Sequence, residues 1–132
     1  MKKFDVIAIG ELNVDLILNN IDGEPEIGKE KFAKAMNLTL GSSTAIFAAN
    51  IACLGSKTGF VGMIGRDTFG DLIESGLSGK GVDTSMLIRS DKHSSGATIC
   101  LNYHEERANI TYQGAMDFMS LDDIDKTIFA RT

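Results

Sequence analysis

The chain has 132 residues, of which 43% are hydrophobic and 23% charged, and its formal net charge is −5. This length and composition are typical of one globular domain with its own core, and they exclude an intrinsically disordered chain. The excess of acidic residues argues against a basic surface for binding nucleic acid or an anionic membrane. The sequence has no membrane-spanning run and no signal-peptide pattern, so we expect a cytoplasmic protein.

The first two predicted elements are strands of different kinds. Residues 6–9 form a continuous apolar run that stops at Gly10, which is typical of a strand inside a parallel sheet. Residues 12–18 then alternate between apolar and polar positions, which indicates a half-exposed strand. Asn13 and Asp15 therefore share one face of this second strand.

A small, hydroxyl-rich turn comes after a second alternating segment at residues 32–40, which we expect to pair with residues 12–18 as an antiparallel flap. The turn contains Gly41, Ser42 and Ser43, and it runs directly into an almost wholly apolar helix. Ser42, Ser43 and Thr44 are candidate N-caps, and the unpaired N–H groups of a helix start favour oxygen-rich ligands. The turn is thus a candidate binding loop; the alternative is a capped core helix without a ligand.

The remaining elements alternate between strands and helices. A strand is predicted over residues 58–64, followed by a helix that begins at Asp67 or Thr68 and ends near Gly79. The later segments are a short strand over 85–89, a hairpin made by 97–103 and 107–112, and a last helix over 121–130.

Asn13 and Asp15 are the first candidates for chemistry. Side by side on a strand face, an amide and a carboxylate suit a sugar, because a carboxylate accepts hydrogen bonds from two neighbouring hydroxyls. The alternative is that Asp15 lies on the solvated face of an ordinary flap strand. Cys53 and Cys100 have neither metal-ligand spacing nor a disulfide framework, and we predict that both are reduced packing residues.

Five motifs follow one another along nearly the whole chain. They occupy residues 6–15, 41–55, 61–70, 81–84, and 96–98 with 114–115. In this order they resemble the ribokinase/PfkB family of carbohydrate kinases. The chain departs from the family pattern at Ser42, where the second residue of a Gly-Gly pair is common, and at Ile46, where an Asn is frequent.

The resemblance implies an α/β, ribokinase-like three-layer fold, with a partly parallel sheet, flanking helices and a small β-sheet lid. Residues 1–132 would be the N-terminal part of one such domain, incomplete at the C-terminus. The lid strands would lie near residues 12–18, 32–40, 97–103 and 107–112. The resemblance also implies a homodimer formed through this lid.

The activity implied by the resemblance is ATP-dependent phosphorylation of a small sugar hydroxyl, with Mg²⁺ as the metal. The implied sugar-binding residues are Asn13, Asp15, Gly41, Ser42, Ser43 and Ala97. We expect the catalytic base, the ATP site and the metal site to come from sequence outside this chain. The alternatives are a non-catalytic sugar-binding or dimerisation module, and a nucleoside kinase of the same superfamily.

One motif is a tempting catalytic candidate. Residues 114–117 are similar to the catalytic Gly-Ala-Gly-Asp of the family, but Met116 replaces a small residue, and the motif comes too early in the chain. We therefore interpret Asp117 as a loop residue and not as a base.

Overall fold

The computed structural model describes residues 2–132, and the strands of this part of the chain form three sheets. The strands are β1 (Val6–Ile9), β2 (Asn13–Ile21), β3 (Ala33–Leu40), β4 (Thr58–Val61), β5 (Met63–Gly65), β6 (Ile88–Ser90), β7 (Gly96–Tyr103) and β8 (Glu106–Tyr112). The helices are α1 (Ser43–Cys53) and α2 (Thr68–Ser78), and three 3₁₀ helices follow at Gly114–Phe118, Leu121–Asp123 and Lys126–Arg131.

Two short parallel pairs make up the central layer. β1 pairs with β4, and β5 pairs with β6. The single strand predicted over residues 58–64 is interrupted at Gly62, because the chain changes partner there from β1 to β6. A Cβ at Gly62 would lie 2.8 Å from the carbonyl oxygen of Gly10, so only glycine fits this crossing without a shift.

The lid sheet is four-stranded, in the order β3-β2-β7-β8. Its β2–β3 and β7–β8 pairs are antiparallel, whereas β2 and β7 run parallel and join the two hairpins. One face is lined mainly with polar side chains, and we call it the polar face of the lid. The polar face carries Asn13, Asp15, Asn37, Thr39, Thr98, Cys100, Asn102, Arg107, Asn109 and Thr111.

The core lies between the central layer and the two α-helices. Its largest fully buried side chains include Phe60, Ile64, Ile73 and Leu77. Leu12 and Val14, at the start of the lid sheet, are also 0% exposed and belong to the same cluster. The base of the lid is therefore anchored in the core, while the far ends of its strands extend from it.

Two further predicted elements differ from the sequence-based expectation. The helix predicted over 121–130 is replaced by the last two 3₁₀ helices, because Asp125 starts a second turn by accepting a hydrogen bond from the Thr127 N–H at 3.0 Å. The strand predicted over 85–89 is shortened to β6, because the Leu87 N–H bonds to the Thr84 carbonyl in a turn. Within residues 2–132, helices long and apolar enough to cross a membrane are absent.

Candidate functional site

The polar face of the lid is organised around Asn13. Its Nδ2 donates to Thr98 Oγ1 at 2.8 Å and to Asp15 Oδ1 at 3.4 Å. Thr98 lies opposite Asp15 in the parallel β2–β7 pair, and its hydroxyl is 3.0 Å from that of Thr111 on β8. Because Asn13 and Thr98 are buried, these bonds hold the Asp15 carboxylate in one position on the sheet.

Gly41 allows the turn after β3 to pass directly beneath these side chains. Its N–H donates to the Asn13 carbonyl at 2.9 Å. A Cβ at this position would collide with Asp15 Oδ1 and would lie 2.7 Å from Asn13 Oδ1. Glycine is therefore required by the close approach of the backbone to the amide and the carboxylate.

Ser42, one of the three predicted candidates, is the N-cap of α1. Its Oγ accepts from the Ala45 N–H at 3.3 Å and donates to the Glu11 carbonyl at 2.7 Å. These two bonds connect the helix start to the segment just before β2. The exposed Ser43 follows as the first helical residue, so the N-terminus of α1 opens beside Asp15.

A cavity of about 620 Å³ lies between the polar face of the lid and the start of α1. Four of the predicted sugar-binding residues line it: Asn13, Asp15, Ser42 and Ser43. Gly41 forms the turn beneath them. Ala97 lies elsewhere: it is paired with Val14 on the opposite face of the lid and packs against the core.

Sequence reasoning missed several residues of this lid cavity. They are Glu11, Thr98, Cys100, Arg107, Asn109, Thr111, Gln113, Met116 and Asp117. Ile46, where the chain departs from the family pattern, lines the cavity as well. Five of the missed residues lie on β7 and β8, where polar residues alternate with apolar ones. This pattern identified the strands but not the face that meets β2. Asp117, which we predicted to be a loop residue, lies on the first 3₁₀ helix and lines the cavity.

The electrostatics of the lid cavity are set by one half-buried carboxylate, that of Asp15, and its neighbours. Partial burial raises the pKa of Asp15, and the hydrogen bond from Asn13 opposes that rise. Burial also raises the pKa of the Cys100 thiol; the charge of Asp15 adds to this, and the charge of Arg107 counteracts it. Cys100 thus lies between a negative and a positive group. Cys53 is exposed, so the prediction that Cys53 is a packing residue was wrong.

A metal site is not formed by the part of the chain that the structure describes. Across residues 2–132, groups of three or more His, Cys, Asp or Glu side chains able to hold a metal ion are absent. The Gly55–Thr58 segment, which contains a Lys-Thr pair, leads from α1 into β4 and has no glycine-rich loop around it. What the lid cavity offers is a hydrogen-bonding surface for a polar, hydroxylated ligand.

Comparison with curated proteins gives relatives with one recurring activity in their names. The chain is 30% identical over 138 residues to the 5-dehydro-2-deoxygluconokinase of Clostridium beijerinckii, with 99% of the chain and 38% of that protein covered. It is 38% identical over 97 residues to the 5-dehydro-2-deoxygluconokinase of Bacillus licheniformis, with 72% and 28% covered. The chain therefore spans well under half the length of these relatives.

Solved structures agree on the fold. The fructokinase of Xylella fastidiosa superposes with a TM-score of 0.79 at 24% identity, covering 100% of this chain and 39% of that one. The Arabidopsis thaliana ribokinase complexed with ribose and ATP superposes with a TM-score of 0.79 at 27% identity, covering 93% and 41%. These likenesses confirm the predicted ribokinase-like α/β fold, of which the chain forms a part.

The family itself is settled by a match along almost the entire chain. The sequence pattern of the pfkB family carbohydrate kinases matches residues 3–130. This agrees with the five motifs, with the curated kinase relatives and with the fold of the solved neighbours. The chain therefore belongs to the pfkB family of carbohydrate kinases.

Proposed function

We propose that the protein carrying this chain transfers a phosphoryl group from ATP to a hydroxyl of a small sugar, and that this chain binds the sugar. The observation that carries the proposal is the Asp15 carboxylate, held by Asn13 in a polar cavity beside the start of α1. The named activities of the relatives, a deoxygluconokinase, a fructokinase and a ribokinase, support a sugar as acceptor.

The roles of the side chains differ. Asp15 accepts hydrogen bonds from two neighbouring sugar hydroxyls, and such bonds to a charged acceptor are about twice as strong as neutral ones. Asn13 positions Asp15 because its own Nδ2 is already engaged by Asp15 and Thr98. Ser43 and the first N–H groups of α1 add donors at the edge of the cavity.

We propose ATP as the phosphoryl donor. ATP-bound neighbours with the same fold support ATP as the donor, and use of ATP suits a cytoplasmic protein. The resemblance also implies Mg²⁺, held by residues outside this chain. The role of this chain is therefore to bind and cover the acceptor.

The face of the lid opposite the cavity supports self-association. This apolar face carries five large, exposed side chains: Met36 (69% exposed), Leu38 (39%), Ile99 (38%), Ile110 (63%) and Tyr112 (59%). An exposed apolar surface of this kind is typical of an interaction site. We propose that a second copy of the protein covers it, because one apolar face is complementary to itself across a twofold axis.

The experiment uses the polypeptide encoded by the complete reading frame. Release of ADP is measured with fructose, ribose, adenosine and 5-dehydro-2-deoxygluconate as acceptors. Asp15→Asn keeps the shape of the side chain and removes its charge. We expect sugar affinity, measured by calorimetry, to fall by about 1.5 to 3 kcal/mol while ATP affinity stays unchanged.

The matched control is Asp122→Asn, an exposed aspartate whose side chain makes no hydrogen bond within residues 2–132. It should bind sugar like the wild type. Release of no ADP with any acceptor would contradict the kinase proposal. Unchanged sugar affinity in Asp15→Asn would contradict the assignment of the site, and preference for adenosine would indicate a nucleoside kinase.

A further inference from the structure

Arg107 lies on β8 and lines the lid cavity together with Asn109 and Thr111. The three residues alternate along the strand and share the polar face of the lid. Arg107 is four residues from Thr111, which corresponds to about 13 Å along a strand at about 3.3 Å per residue. Arg107 thus lies toward the far end of the strand and lines the same cavity as Asp15.

Arg107 differs from the other three arginines of the chain, each of which pairs with a carboxylate. Arg66 contacts Asp91 at 2.5 Å, Arg89 contacts Asp71 and Glu74, and Arg131 contacts Asp125. Among residues 2–132, the Arg107 side chain has no ion-pair partner within 4.0 Å and no hydrogen-bond acceptor. Its charge is therefore available to a ligand in the cavity.

The charges of the cavity are distributed unevenly. Glu11 precedes β2 by two residues and Asp117 follows β8 by five, so both lie near the end of the sheet where Asn13 is held. Arg107 is at the other end. The opposite influences of Asp15 and Arg107 on the Cys100 pKa agree with a thiol placed between the two charges. This distribution would orient an elongated acceptor that carries one negative group with that group away from the carboxylates.

Building on the proposed function, we propose that Arg107 binds the carboxylate of a sugar acid, so that the site selects an acidic acceptor over a neutral sugar. A single guanidinium matches a carboxylate through two parallel N–H···O bonds. A carboxylate carries one negative charge and needs one cation, whereas a phosphate group of nearly two charges is poorly neutralised by Arg107 alone. The hydroxyl end of the acceptor then lies at Asp15.

The test compares a sugar acid with a neutral sugar on the polypeptide encoded by the complete reading frame. Binding of 5-dehydro-2-deoxygluconate and of fructose is measured by calorimetry without ATP, and KM is measured for each with ATP. We expect Arg107→Gln to weaken binding of the acid by about 10- to 100-fold and to change binding of fructose by less than about twofold. Arg107→Lys should restore part of the loss, because it keeps the charge without the bidentate geometry.

Arg66→Gln is the matched control, since Arg66 lies outside the cavity and pairs with an exposed aspartate. It should leave binding of both sugars unchanged. Raising the salt concentration should weaken binding of the acid to the wild type and have little effect in Arg107→Gln.

Three results would overturn the role of Arg107: unchanged binding of the acid, equal loss for acid and fructose, or tighter binding of fructose 6-phosphate than of the acid. A wild-type protein that binds neither sugar would overturn it as well. If the acid binds through Arg107 and no acceptor releases ADP, the kinase proposal fails and the specificity of the cavity stands.

Discussion

Ser42 shows how the backbone constrains a single residue of the site. Its φ is 70° and its ψ is 127°, a conformation that favours glycine. This explains why a second glycine is common at this position in the family that the chain resembles. Here the serine hydroxyl makes two hydrogen bonds, one to the N-terminus of α1 and one to the segment before β2.

We predict that Ser42→Ala is more destabilising than Ser42→Gly. Alanine loses both hydrogen bonds and keeps the unfavourable φ, so the free energy of unfolding should fall by about 1 to 2 kcal/mol. Glycine loses the same bonds but adopts the positive φ without strain, and a loss below about 0.5 kcal/mol is expected. Urea unfolding of both variants measures the difference, and an alanine variant as stable as the glycine variant would contradict the strain argument.

Asn13 and Asp15 could be predicted from the sequence because alternation within one strand fixes which residues share a face. Thr98 and Arg107 could not, because periodicity within a strand says nothing about the register between strands. Ala97 is an example, because it was predicted to bind the sugar although it lies on the other face of the lid. A shift of one residue along β7 separates Ala97, which faces the core, from Thr98, which faces the cavity.

At the scale of elements, Asp67 joins α2 to the loop that leads into the lid. Its Oδ1 accepts from the Gly70 N–H and from Ser95 Oγ, each at 2.7 Å, and its Oδ2 accepts from the Ser95 N–H at 2.7 Å. Ser95 Oγ in turn accepts from the Gly65 N–H at 2.9 Å. One carboxylate thus caps a helix and fixes the start of β7. Burial raises the pKa of Asp67, but the hydrogen bonds from Ser95 and Gly70 outweigh it, and the pKa is lowered.

Removal of this carboxylate should therefore affect both stability and the lid. We predict that Asp67→Ala lowers the free energy of unfolding by about 2 to 3 kcal/mol, since it removes an N-cap and leaves the buried Ser95 without its partner. Asp67→Asn, which can still cap the helix, should lose less. Denaturant unfolding of the complete polypeptide measures both, with the exposed Asp91→Asn as control; equal losses in all three would contradict the assigned role.

At the scale of the whole molecule, the described chain consists of a buried parallel layer and a lid sheet with two unlike faces. The strand pattern, the N-caps and the order of elements could be predicted because they depend on local sequence. The parallel β2–β7 junction could not, since it depends on contacts across most of the chain. The terminal 3₁₀ helices could not be predicted either. Ile124 and Ile128 have the spacing of one α-helix, but Asp125 interrupts the helix between them.

The oligomeric state belongs to this scale as well. We predict that the complete polypeptide is a dimer at micromolar concentration and that Ile110→Lys, on the apolar face of the lid, weakens dimerisation at least about tenfold because a charge would be buried there. The matched control is Ile27→Lys, an equally apolar residue that is fully exposed outside the strands. Sedimentation velocity measures both variants. A monomeric wild type, or equal weakening by both substitutions, would contradict the proposed interface.

The parallel junction between β2 and β7 also determines when the site can form. Asn13 and Thr98 are separated by 85 positions along the chain, so their hydrogen bond requires closure of a long loop. Contacts of such high sequence separation form slowly, and a nascent chain that has produced only β2 and β3 has an unpaired strand edge and no partner for Asn13. We therefore expect the lid cavity to form late in folding, and we expect the unpaired edge of β2 to need protection from other chains during synthesis.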